Sequence, residues 1–247
     1  MTGAVPAAGD PPVPPPFRWR AEHLELELPG GGVLFTTRRG GVSEGPFASL
    51  NLGPQTGDDP ARVDENRRRV QERVGARRLL GGHQVHGAHV AVERGEGEDA
   101  DGQATARRGN APIVLVADCL PIALVAPGAV AMVHAGWRGL AAGVVAAGVA
   151  AVRGLAPGAP VAAAIGPGAR ACCYEVGAEV HAAFGVARPR ARTLDLPAIA
   201  AGQLAAAGVG QIHDAGLCTL CADPGLLFSH RRDRGVTGRQ AGLAWRR

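Results

Sequence analysis

Three apolar runs follow one another closely in the middle of the chain, at residues 112–117, 122–126 and 129–133, and Pro127-Gly128 joins the last two. Short apolar runs split by Pro-Gly predict neighbouring buried strands and a tight turn. Upstream, residues 23–28 and 33–37 predict a hairpin across the turn 29–32. Residues 83–87 read as extended, with Gln84 and His86 on one face and His83 and Val85 on the other. Further strands are predicted at 160–165 and 209–213 and near 242–245. Residues 60–77 predict a helix with Asp59 as its N-cap and Pro60 in its first turn. Val63, Val70 and Val74 share one side of it, and Arg67, Arg68 and Arg69 lie mainly on a solvated one. Residues 140–152 and 196–207 predict two more helices, the second capped by Asp195. Residues 93–108 are polar and Gly-rich and predict an exposed loop. Irregular alternation of strands and helices with frequent hairpins predicts a layered, mixed α/β sandwich with largely antiparallel and mixed sheets, in preference to a doubly wound parallel sheet. Residues 18–247 form a single domain in this reading, behind a Pro- and Ala-rich tail, 1–17, expected to be disordered.

Composition narrows the classes. A chain of 247 residues that is 46% hydrophobic has ample material for a core. All 26 basic residues are arginine, the net charge is only +4, and the arginines are spread along the sequence. No nucleic-acid partner is required by that pattern. No unbroken apolar run suits a membrane span, and the N-terminus lacks the features of a secretory signal. Five cysteines, an odd number without an even framework, fit a reducing cytoplasm. No G-x-G-x-x-G follows a strand and no Walker motif occurs, so dinucleotide and kinase chemistry have no support.

The candidate chemistry gathers at strand ends. Cys119 sits just before the second apolar run and His134 just after the third, and His86 lies in the upstream segment. Thiolate and imidazole are the donors zinc prefers, and three protein ligands leave a fourth position open; satisfied core histidines and an inert thiol are the commoner outcome for such residues. Arg38 enters a Gly40-Gly41 loop, as an anion site or as a surface arginine. Trp137 and Arg138 open a helix, where an indole could stack on a base or simply pack. Cys172 and Cys173 are adjacent and are expected to point apart, which argues against shared chelation. Cys218 and Cys221 form a C-x-x-C for which an incidental or structural role is expected.

Gln84-Val85-His86-Gly87, Ala117-Asp118-Cys119-Leu120-Pro121 and His134-Ala135-Gly136-Trp137-Arg138-Gly139, in that order, resemble the laccase-domain family. This family, once labelled polyphenol oxidase, is described as zinc-dependent purine nucleoside phosphorylases and includes bacterial peptidoglycan editing factors. Thr37-Arg38-Arg39-Gly40-Gly41, Ser49-Leu50-Asn51-Leu52-Gly53, Cys172-Cys173-Tyr174-Glu175 and Phe228-Ser229-His230-Arg231-Arg232-Asp233 extend the likeness from about residue 30 to the end. The resemblance implies a zinc ion at His86, Cys119 and His134, copper being the less favoured metal. It implies catalytic roles for Asp118 and Arg38, and substrate contacts from Arg38, Asn51, Gln84, Trp137, Arg138, Tyr174 and Arg231. The implied partners are a purine nucleoside and phosphate, with no nucleic acid or membrane, in a monomer or small homo-oligomer. The implied reactions are phosphorolysis of adenosine, inosine and S-methyl-5'-thioadenosine, and deamination of adenosine. Hydrolysis of misplaced L-serine from a nucleotide-linked muramic acid is the alternative, and copper-dependent phenol oxidation a weaker one. The family commonly has an aromatic residue where His230 stands and often a further cysteine near Gly168.

Overall fold

The hairpin formed by Leu120–Ala126 and Ala129–Ala135 is buried at every position and is the centre from which the two sheets are built. The computed structural model describes residues 10–94, 97–185 and 192–247. In chain order the strands are β1 (Arg18–Arg20), β2 (His23–Leu28), β3 (Gly31–Phe35), β4 (Arg78–Leu80), β5 (Val90–Val92), β6 (Gly102–Thr105), β7 (Asn110–Val116), β8 (Leu120–Ala126), β9 (Ala129–Ala135), β10 (Ala162–Ile165), β11 (Gln211–Asp214) and β12 (Gln240–Arg246). The helices are α1 (Pro60–Arg73), α2 (Trp137–Ala142), α3 (Val144–Leu155), α4 (Ala178–Ala183) and α5 (Leu196–Ala206).

One sheet runs β1-β2-β3-β12-β7-β4 and the other β11-β10-β8-β9-β6-β5. Most pairs are antiparallel; β4–β7, β5–β6 and β10–β11 are parallel. The alternation of β8 explains the layering. Ala123 and Val125 pack with Val33, Phe35 and Val114 of the other sheet, whereas Ile122 and Leu124 pack under Val145, Val149 and Val152 of α3. Strands covered on both faces read as continuous apolar runs, which is why the centre of the fold was visible in the sequence. Over the far side of the first sheet, Val70 and Val74 join Leu34, Ile113 and Leu243 in a third cluster. The result is an α-β-β-α stack of mixed sheets in one domain.

Several expectations need correction. The segment 93–108 is not an exposed loop throughout, because it contains β6, buried at all of its positions. Residues 83–87 form a loop with a single bridge at His83, so Gln84 and His86 share a face without being in a strand. The helix expected over 140–152 is two helices, broken at Gly143, whose φ of 91° ends α2 in the left-handed region. Residues 10–17 are packed on the domain. Phe17 is buried against Phe35, with ring centroids 6.4 Å apart, and the Trp19 indole donates to the Pro11 carbonyl at 2.8 Å. The tail expectation therefore fails for 10–17; its remainder, 1–9, lies outside the described residues.

Candidate metal centre and its cleft

The chain crosses from one sheet to the other between β7 and β8, and that crossing carries Ala117-Asp118-Cys119. β9 runs beside β8 with Pro121 opposite His134, so Cys119 and His134 arrive together at the same end of the hairpin. His86 reaches them from the loop before β5. The donor atoms of His86, Cys119 and His134 lie within 4.8 Å of one another, and the two imidazoles meet edge to face with centroids 4.8 Å apart. His86 Nε2 stands 3.9 Å from Cys119 Sγ. Gly136 is required by this convergence: a Cβ there would lie 2.8 Å from the Cys119 sulfur and 3.1 Å from the His86 ring.

Asp101, absent from the sequence-based set, holds the centre together. It is fully buried. Its carboxylate accepts from the amides of Val85 (3.1 Å), His86 (2.9 Å) and Gly87 (2.6 Å) and from His134 Nδ1 (2.7 Å). Its carbonyl accepts from the His134 amide at 2.6 Å. One side chain thus fixes the loop of one candidate ligand and the ring of another. His86 itself has φ of 60°, in the left-handed region that non-glycine residues rarely occupy, and the three amide bonds to Asp101 secure it there. Burial works to raise the Asp101 carboxyl pKa, but the bonds from His134 and Gly87 outweigh it and keep the group below the usual carboxylate value. An Nδ1–H directed at Asp101 leaves His134 Nε2 as the nitrogen free to ligate.

The proximity of His134 to Cys119 favours a thiolate beside an imidazolium. Burial opposes ionisation of Cys119, but His134 beside it overrides this and brings the thiol down to about 6. Burial likewise opposes charge on His134, and Cys119 with Asp101 raises it to about 9. Between those values the pair carries one proton, and a metal ion must displace it. Zinc affinity is therefore expected to rise about tenfold per pH unit between the two values and to flatten above the higher one. Competition titrations against a chromophoric chelator at several pH values check this, and a pH-independent affinity over that window contradicts it.

Above the donors lies a cavity of about 600 Å³, within the range of small-molecule sites. Gln84, Trp137, Arg138, Tyr174 and Arg231, all singled out in the sequence, line it, and so do His230, Arg67 and Arg239, which were not among the expected substrate contacts. Arg138 stacks over Trp137 at 4.2 Å and Arg231 over Tyr174 at 4.8 Å. Gln84 faces the cavity while its amide both donates to and accepts from the Leu115 main chain at 2.8 Å. Asp118, with φ of 94°, is anchored rather than free. Its carboxylate accepts from Thr219 Oγ1 (2.6 Å), Ser229 Oγ (2.7 Å) and the Arg231 amide (2.8 Å).

Arg38 and Asn51 are not on the cavity wall. Arg38 donates to the carbonyls of Ala48 (2.6 Å) and Pro224 (2.7 Å) and lies 4.4 Å over Phe228. Asn51 is fully buried; it donates to Thr56 and Asp58 and accepts from the Gly53 and Arg239 amides. Both residues brace loops, and their polar atoms are already committed. Arg38→Ala is accordingly expected to cost about 2 kcal/mol of stability and to leave the KM for substrate unchanged; thermal unfolding alongside steady-state kinetics measures both.

Two sheets that meet at a His/Cys/His cluster beneath an arginine- and aromatic-lined cleft define a protein equipped to hold a metal ion and a small ligand. The chain belongs to the family described as multi-copper polyphenol oxidoreductase laccase, whose pattern matches residues 32–247. It is 43% identical to the purine nucleoside phosphorylase ORF3 of Streptomyces griseus, over 91% of this chain and 98% of that one. It is 40% identical to the purine nucleoside phosphorylase PA4543 of Pseudomonas aeruginosa, over 85% and 91% respectively. Among solved structures, YlmD from Geobacillus stearothermophilus superposes with a TM-score of 0.83 at 36% identity, covering 94% of this chain and 98% of its own.

Proposed function

We propose that the chain is a zinc-dependent purine nucleoside phosphorylase acting on adenosine, inosine and S-methyl-5'-thioadenosine, with adenosine deaminase activity. The observation that carries this reading is the cleft wall over His86, Cys119 and His134: two aromatic faces, each paired with a guanidinium, and Arg239 beside them. Aromatic faces take a planar base, and guanidinium groups take phosphate oxygens. The names of the relatives point the same way.

A thiolate and two imidazoles with room for a fourth ligand suit zinc, and among the described residues no methionine lines the cavity to favour a blue-copper arrangement. When bound, the ion would supply Lewis acidity for polarising substrate or lowering the pKa of water. The protein's own part is positional. Trp137 and Tyr174 hold the base, and Arg138, Arg231 and Arg239 hold phosphate so that its oxygen meets the anomeric carbon as the bond to the purine nitrogen breaks. Asp101 orients His134. Asp118 is assigned a positioning role, because its three accepted hydrogen bonds set the backbone that presents Cys119 and Arg231.

A second reading draws on the adjoining cavity of about 460 Å³, which shares Trp137, Arg138, Tyr174 and Arg231 with the first. That extension would accommodate a larger nucleotide-linked amide, as in removal of misplaced L-serine from a muramic acid precursor. Product analysis separates the two readings. Phosphate-dependent release of adenine or hypoxanthine supports phosphorolysis. Free serine from the misacylated precursor, with no base from any nucleoside, assigns the amidase and overturns the first reading.

A further inference from the structure

The other four cysteines meet about a second point. Cys172, Cys173, Cys218 and Cys221 place their sulfur atoms within 4.8 Å of one another, although the two pairs are 45 or more residues apart in sequence. Cys172 and Cys173 were expected to point apart. They lie on a tight turn in which the Cys173 and Tyr174 amides donate to the Arg170 carbonyl at 3.0 and 2.8 Å, and a turn of that kind, unlike a strand, brings neighbouring side chains to one side. Cys218 and Cys221 flank a second turn closed by the Ala222 amide on the Cys218 carbonyl at 2.9 Å. The two turns are joined by a bridge between Gly168 and Cys218.

We propose that Cys172, Cys173, Cys218 and Cys221 form a structural zinc site, separate from the His86, Cys119 and His134 centre. A C-x-x-C turn meeting a second cysteine pair is the ligand arrangement of closed four-cysteine zinc sites, and a tetrahedron with Zn–S bonds near 2.3 Å has sulfur–sulfur edges of roughly 3.8 Å. The four sulfurs are already within 4.8 Å of one another, and reaching the tetrahedron requires opening the bond between Cys173 and Cys221. Cys172 and Cys221 sulfurs are 3.3 Å apart. Cys173 and Cys221 are joined as a disulfide, but that bond uses two sulfurs and leaves the convergence of Cys172 and Cys218 without a purpose. Its Cα atoms are 7.0 Å apart, beyond the usual span of about 4.4–6.8 Å. Arg170, paired with Asp214 at 2.7 and 2.8 Å, sits close enough to act electrostatically on Cys172 and Cys218, where it offsets the double negative charge of a four-thiolate zinc. The division also accounts for the odd cysteine: four belong here and Cys119 to the other centre.

The site would pin two pieces of the cleft wall. Tyr174 follows Cys173 directly, and Thr219, inside the C-x-x-C, donates to Asp118. Zinc binding takes four thiols. A dithiol reductant supplies the two electrons and two protons that open the disulfide, and the four thiols then release their protons as one ion binds.

The test counts zinc on the full chain, reduced, loaded with zinc and passed through a desalting column. Wild type is expected to retain two ions per chain, Cys119→Ala one, and Cys172→Ser, an exposed position chosen to spare the fold, one. X-ray absorption on zinc-loaded Cys119→Ala is expected to show four sulfur neighbours and no nitrogen. A folded Cys119→Ala chain that emerges without zinc, or whose zinc has nitrogen neighbours, overturns the proposal. None of these measurements reads turnover, so they stand or fall separately from the phosphorylase reading.

Discussion

Cys119→Ala is expected to abolish tight metal binding at the cleft and to lower kcat/KM for adenosine phosphorolysis by at least about a thousandfold, some 4 kcal/mol of transition-state stabilisation. The reason is geometric as well as chemical. Cys119 is the only anionic member of its cluster of three, and two imidazoles alone make a weak site for zinc. The substitution also removes the partner that raises the His134 pKa, so metal binding and the electrostatics around His134 change together. The thermal midpoint is expected to move little, since Cys119 is only partly buried and the hairpin beyond it is independently packed. A variant with full activity would remove the metal centre from the chemistry.

Asp101→Asn is the second large effect. Asp101 accepts four hydrogen bonds through its carboxylate, and an asparagine turns half of that acceptor into a donor. Either the amides of the His86 loop or His134 Nδ1 must then face an N–H. Zinc affinity is expected to fall about 10–100-fold, as for other partners of metal-bound histidine. Each buried donor left without an acceptor adds about 1–3 kcal/mol of destabilisation. The chelator competition used for the wild type gives the affinity, and chemical unfolding gives the stability. Unchanged zinc affinity in a folded Asp101→Asn protein would contradict the role assigned to Asp101.

What the sequence disclosed follows from the range of the interactions involved. The β8–β9 hairpin is apolar on both faces, so its position and turn were legible, and the candidate ligands at its ends came with it. Asp101 was not legible. Its segment is acidic and Gly-rich like a solvated loop, and only its small neighbours Ala100 and Gly102 hint at burial; its four partners come from residues 14–33 positions away. Arg38 and Asn51 stand off the cavity wall for a different reason. Their motifs are real, but the side chains are spent on main-chain groups of loops that only the fold brings near. The adjacent cysteines were expected to point apart as in regular structure, whereas the chain makes a turn there that brings their sulfurs together.

The most direct test of the central claim is the product balance from adenosine on protein stripped of metal and on the same protein restored with zinc, each with and without phosphate. The account predicts ribose 1-phosphate equal to the sum of adenine and hypoxanthine, all three formed only when zinc and phosphate are both present. Free base formed without phosphate, or neither adenine nor hypoxanthine from fully restored protein, would contradict it.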